Sequence, residues 1–251
     1  MRFTSETTSD GVWERFFTLD DIPGVLWSPA GATGQRPLVL LAHGGGQHKT
    51  VASLVSRAHR FVTNCGFAVV AIDAPGHGDR PRSERDQQLV GAIRKRVEAG
   101  EPLGPQLARY HAVLAEQVIP EWRAVLDSVA IDGIAGGPIG FGGMSMGCAL
   151  GVPFVAAEPR ISAAVFGLAG GPALAEAAAR ITVPIEFLLQ WDDERVSRDL
   201  SLALFDAFAS GEKTLHANPG GHADVPAFEL ESSERFFVRH LGGVRGCHPS
   251  G

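Results

Sequence analysis

The sequence predicts an α/β chain: one mostly parallel central sheet with helices on both faces. Two observations carry that expectation. Short continuous apolar runs, such as Leu38-Val39-Leu40-Leu41 and Phe67-Ala68-Val69-Val70-Ala71-Ile72, have the composition of strands buried on both sides. Between them, Val51, Leu54, Val55, Ala58, Phe61 and Val62 recur at helical spacing. Strand runs alternating with helical patterns are what parallel strands joined by crossover helices produce. A length of 251 residues suits a single domain over 1–251.

The elements follow in order. Phe16–Leu19 and Val25–Trp27, separated by Asp20-Asp21-Ile22-Pro23-Gly24, read as an opening hairpin. The strand Leu38–Leu41, the helix from Val51 and the strand Phe67–Ile72 come next, the last ending at Asp73-Ala74-Pro75-Gly76. From Arg80 to Ile119 the rhythm breaks into a long charged stretch whose helical pieces are interrupted by Gly100, Pro102, Gly104 and Pro105. A connection of that length is rarely plain loop, so residues 80–119 are predicted to form a small helical cap. Its Leu89, Val90, Ile93 and Val97 make an apolar stripe suited to packing over a pocket. Arg80, Arg82, Arg85, Arg94, Lys95 and Arg96 alternate with Asp79, Glu84 and Asp86, the pattern of a solvated face. A core helix is expected over Glu121–Val129 and a strand over Pro138–Gly142. Further strands are expected at Ala163–Leu168, Ile185–Gln190 and Thr214–His216, with helices at Leu200–Ala209 and Phe228–His240.

Composition narrows the function. A net charge of −6 argues against nucleic acid as a partner. No apolar run approaches the roughly 20 residues of a membrane span. The start, Met-Arg-Phe-Thr-Ser-Glu, lacks a secretory signal pattern, so a cytoplasmic location is the expectation. Cys65, Cys148 and Cys247 are scattered without a C-x-x-C pair, which suggests neither a disulfide framework nor zinc.

The chemistry is concentrated in Gly143-Met144-Ser145-Met146-Gly147, a G-x-S-x-G segment placed after a predicted strand and before a helical pattern. Gly151 and Pro153 are expected to kink or shorten that helix. A serine hydroxyl needs a base, and the base needs an acid to hold its tautomer. Among the downstream histidines, His222 sits in a glycine-rich loop after the last predicted strand. His216 falls within that strand, His240 on a helix and His248 in the tail. Gln190-Trp191-Asp192-Asp193-Glu194 offers acids at a strand end; Asp193 is preferred, with Asp192 as the alternative and Glu194 facing water or capping a helix. Val196 would anchor that turn. Two backbone N–H groups should receive an oxyanion. Met146 follows the nucleophile, and Gly45, or alternatively Gly46, lies in the loop Ala42-His43-Gly44-Gly45-Gly46-Gln47-His48.

Taken together, His43-Gly44-Gly45-Gly46, Asp73-Ala74-Pro75-Gly76-His77-Gly78, the Ser145 segment, Asp193 and Gly220-Gly221-His222 resemble the α/β-hydrolase superfamily, in its dienelactone hydrolase-like and esterase branches. The resemblance spans nearly the whole chain. It implies the α/β-hydrolase fold and a serine hydrolase that cleaves carboxylic esters, lactones or thioesters with Ser145, His222 and Asp193. Dienelactone hydrolase itself uses a cysteine nucleophile, and Ser145 here argues for a serine esterase instead. The same three residues would also serve a C–C bond hydrolase, a perhydrolase or a lyase-like enzyme, and the scaffold could serve as a binding protein without catalysis. Gly46, Met144, Met146, Trp191 and Phe166 are candidates to line an apolar substrate site. No cofactor is implied. His43, His48, Asp73, His77 and Asp79 lack metal-ligand spacing, and no glycine run fits a nucleotide-binding loop.

Overall fold

A computed structural model of the protein describes residues 1–99, 104–131 and 135–242. The expectations at Gly100, Pro102, Cys247 and His248 lie outside the described residues, as does the side chain of Val97. Among the described residues no helix is long and apolar enough to cross a membrane.

The chain opens with three antiparallel strands: β1 (Arg2–Ser9), β2 (Val12–Leu19) and β3 (Ile22–Pro29). The expected hairpin is therefore longer and its turn tighter. Leu19 pairs with Ile22, so Asp20 and Asp21 alone make the turn, with Asp20 at a φ of 50°. Ile22, Pro23 and Gly24 belong to the strand, and Gly24 accommodates the Phe17 ring where a Cβ would collide with it. β1 was not anticipated. All eight of its residues are exposed, so it has no apolar alternation to betray it.

The remaining strands are β4 (Arg36–Ala42), β5 (Ala68–Ile72), β6 (Ala135–Met144), β7 (Ile161–Gly167), β8 (Ile185–Gln190) and β9 (Lys213–Asn218). The sheet order is β1-β2-β3-β5-β4-β6-β7-β8-β9, parallel from β5 to β9. The chain moves outward from β4 in both directions, to β5 on one side and β6 on the other. Loops leaving the carboxyl ends of β4 and β6 therefore diverge and leave a crevice between them.

Helices α1 (Ala52–Cys65) and α7 (Phe228–Leu241) cover one face, where Leu54, Ala58, Phe61 and Phe237 pack on Val39, Leu41 and Val69. Helix α2 (Glu84–Glu98) and the 28-residue α3 (Gly104–Ile131) lie on the other side with α4 (Met146–Ala157), short α5 (Ala175–Ala178) and α6 (Arg198–Ala207). The helix expected over Glu121–Val129 is the second half of α3, which runs on through Pro120. Its Tyr110, Leu114, Val118, Trp122, Val125 and Leu126 all join the main core. Leu89, Val90 and Ile93 of α2 pack against that core, while Arg85, Arg94 and Lys95 are exposed.

Helix α4 corrects one expectation. It continues for 12 residues through both Gly151 and Pro153. Gly151 is there for packing: a Cβ would drive into the Phe141 ring, itself in contact with Trp122, Phe154 and Phe166. Missing side-chain volume lets the helix sit close to β6.

Candidate active site

Ser145 sits at the turn from β6 into α4 with φ 55° and ψ −120°, backbone angles that a side-chain-bearing residue adopts only at a cost of roughly 1–3 kcal/mol. Two glycines make the turn possible. A Cβ on Gly143 would overlap the carbonyl of Gly147, and one on Gly147 would come within 2.6 Å of the Ala42 oxygen. The Ser145 N–H is satisfied by the Gly167 carbonyl of β7 at 2.9 Å, so the turn is anchored to the sheet.

His222 lies in the loop after β9, 7% exposed. Its Nε2 is 3.0 Å from Ser145 Oγ and its Nδ1 is 2.7 Å from Asp193 Oδ2. An ionised carboxylate only accepts, so the proton belongs on Nδ1, and Nε2 is left to accept the serine hydroxyl. Asp193 is held in turn by the N–H groups of Arg195 (2.8 Å) and Val196 (3.0 Å), both donating to Oδ1. Val196 ties this turn through its backbone N–H. Asp192 faces the other way and accepts from the Gly220 N–H at 3.3 Å.

Glu194 has a part that its position in the sequence did not disclose. Its Oε2 accepts the His222 N–H at 2.9 Å, and this bond, chief among several, holds its pKa below the usual glutamate range. Adjacent residues thus grip one histidine, Asp193 by the ring and Glu194 by the backbone. The only sequence signal was proximity to Asp193, because an acid bonding a backbone N–H leaves no spacing pattern.

The loop after β4 turns tightly between Gly44 and Gln47. Gln47 N–H donates to the Gly44 carbonyl at 3.2 Å, and Gly46 has a φ of 72°. Gly44 N–H is taken by Gln47 Oε1 at 3.0 Å. Among the described residues, the N–H groups of Gly45 and Met146 donate to no protein acceptor. The two residues are neighbours: a Cβ on Gly45 would rest 3.8 Å from that of Met146. His43 braces the loop. Its Nδ1–H donates to the Gly44 carbonyl (2.9 Å), and its Nε2 accepts the Ala74 N–H (3.0 Å). Burial lowers its pKa to about 4, so this imidazole is neutral at pH 7.

The other candidates scatter. Trp191 is 48% exposed with the Arg198 guanidinium 4.1 Å over its ring. Gly46 is exposed, and Met146 is buried in the main core. Met144 packs on the α1 and α7 side, beside Leu41, Leu54 and Arg57. Phe166 is fully buried and stacks on Phe208, a core residue. His216 bonds Glu229 at 2.7 Å, away from Ser145. Cys148 is buried, which pushes its thiol up to about 12. No group of three or more metal-ligating side chains occurs among the described residues.

Residues 39–244 match the family model described as the alpha/beta hydrolase family. Among solved structures, a cold-adapted esterase from an Arctic intertidal metagenomic library, bound to PEG, is 36% identical with a TM-score of 0.77, covering 96% of this chain and 100% of its own. Acetyl xylan esterase from Paenibacillus sp. R4 superposes with a TM-score of 0.70 at 17% identity, over 96% of this chain and 88% of its own. Est1E from Butyrivibrio proteoclasticus, bound to ferulic acid, gives 0.65 at 16% identity, over 90% and 98% respectively. The latter two likenesses establish shared fold. No curated protein matches the chain.

Proposed function

The chain belongs to the alpha/beta hydrolase family, and on that footing we propose that it is a serine esterase acting through an acyl-enzyme. The observation that carries the reading is the unbroken hydrogen-bonded series Ser145–His222–Asp193, at 3.0 and 2.7 Å, beside two unclaimed N–H groups. A similar chain of 36% identity is an esterase, which supports the same class of substrate.

The chemistry follows from the proton positions. Ser145 Oγ attacks the ester carbonyl as its proton passes to His222 Nε2. Asp193 stays ionised and stabilises the imidazolium that forms. The negative charge on the former carbonyl oxygen is received by the N–H groups of Gly45 and Met146; the latter opens α4, whose dipole adds to the effect. Collapse breaks the carbon–oxygen bond, and His222 gives its proton to the departing alkoxide. Water then attacks the acyl-enzyme with His222 again as base, the acid leaves, and Ser145 recovers its proton. We read α2 and the first half of α3 as the cap over this site.

Ser145→Ala is expected to abolish hydrolysis of p-nitrophenyl acetate and butyrate, and labelling by a fluorophosphonate probe, while leaving the melting temperature within a few degrees. Full turnover in that variant would sink the proposal. Labelling of the wild type without ester turnover would point instead to one of the other reactions this triad can support.

A further inference from the structure

Behind the Gly44–Gln47 turn lies a second cavity, separate from the Ser145 hydroxyl. It measures about 70 Å³ and is lined by Leu41, Ala42, His43, Gly44, Gln47, Ser53, Leu54, Arg57 and Met144. One water needs roughly 10–15 Å³ of such space, so a group of several atoms fits. Every charge-bearing contributor is positive or neutral: no carboxylate lines it.

Arg57 is the unusual member. Its Nε is sealed from solvent without a hydrogen-bond partner, and among the described residues no carboxylate lies within 4.0 Å of its guanidinium. The opposing charge of Glu186 only partly offsets the burial that lowers the Arg57 pKa. Arginine stays charged in proteins, so a half-buried guanidinium with a sealed Nε and no counter-ion is costly. Two donors accompany it. Gln47 Oε1 is occupied by Gly44 N–H, which leaves the Gln47 amide NH₂ as a donor on the cavity lining. Exposed Ser53 stands in the first turn of α1, where the helix dipole favours negative charge.

We propose that this cavity is a binding site for a small monoanion, a halide or a short carboxylate, held by the Arg57 guanidinium with Ser53 and Gln47. The site does not depend on the esterase reading. Its wall includes Ala42, His43, Gly44 and Gln47 of the loop that carries Gly45 beside Met146, so an occupant would stiffen that loop from behind.

The test is chloride-NMR line broadening with the full chain, using gluconate, too large for the cavity, to hold ionic strength constant. Wild type is expected to show a saturable broadening that formate or acetate reverses. Arg57→Gln should lose the saturable component and Arg57→Lys should keep it. Ser53→Glu places a carboxylate at the opening within reach of Arg57, at a helix position that favours acids, and should abolish chloride binding in a folded protein even if Arg57→Gln does not fold. Equal broadening in wild type and Ser53→Glu, or none that saturates in wild type, would overturn the proposal. Either result would leave Arg57 as a structural cation only.

Discussion

His222 is fixed by neighbours that do different jobs, and the difference can be measured. Asp193 Oδ2 sets the tautomer, while Asp192 only accepts from the Gly220 N–H. Asp193→Asn presents an amide that can donate to Nδ1 and so favours the wrong tautomer. It is expected to lower kcat on the order of 10³–10⁴-fold with little change in KM. Asp192→Asn should stay within about threefold. A steady-state comparison of the two variants on one ester decides which acid serves the histidine. His43 makes a separate prediction, about stability. Burial brings its pKa from 6.5 to about 4, so the folded state binds fewer protons than the unfolded state between those values. Its contribution is present in full above pH 6.5 and is lost as pH falls toward 4. At about 1.4 kcal/mol per pH unit the loss is on the order of 3 kcal/mol. His43→Gln, whose amide can still accept the Ala74 N–H, should be less stable than wild type at pH 7.5 but show a shallower decline in melting temperature down to pH 4.5.

The strand–turn–helix around Ser145 depends on side chains that are absent. Gly143 and Gly147 let β6, α4 and β4 close on one another, and Gly151 lets α4 lie against Phe141. Gly151→Val is expected to cost about 1–3 kcal/mol by overpacking, read from urea unfolding, with folded protein retaining the serine's reactivity toward a fluorophosphonate. A larger loss of labelling than of stability would mean that the packing strains the turn itself. The same element shows what the sequence could reveal. The grouping of Ser145, His222 and Asp193 was legible because each stands in a loop after a strand, Ser145 and Asp193 after apolar runs and His222 in a glycine-rich segment. Pro153 misled because helix propensity is local while α4 is held by burial of nine of its residues. Similarly, the division expected between a cap ending at Ile119 and a helix starting at Glu121 falls inside a single α3, stabilised by Tyr110 through Val129 against the core. β1 escaped because a strand exposed throughout needs no hydrophobic period, only a neighbour to pair with. The backbone grip of Glu194 on His222 was invisible for a related reason, since it joins residues 28 apart with no motif of its own.

Across the whole molecule, the loops that leave β4 and β5 must keep register for the site to exist, and one buried ion cluster ties them. Asp73, fully buried at the end of β5, accepts from Lys49 N–H and Lys49 Nζ, each at 2.7 Å, and from Asp79 N–H at 3.0 Å. Burial alone would raise its pKa, but these donors outweigh it and hold it below the usual aspartate range. Arg80 extends the tie to α3 through Glu121, at 2.6 and 2.7 Å, and to the Asp73 carbonyl. A buried pair of this kind adds little net stability over an apolar pair, yet breaking it from one side strands a charge. Lys49→Met should therefore destabilise the fold by about 3–5 kcal/mol. Lys49→Met combined with Asp73→Leu should recover part of that loss, because no buried carboxylate is left orphaned and the Asp79 carboxylate that also bonds Lys49 is exposed. Activity should separate from stability in this cycle. The double variant loses the strap that holds the Gly45 loop, so its kcat should stay low while its melting temperature rises. Recovery of both together would mean that the strap serves the fold alone, and that the turn at Gly44–Gln47 holds its position through His43 and its own hydrogen bonds.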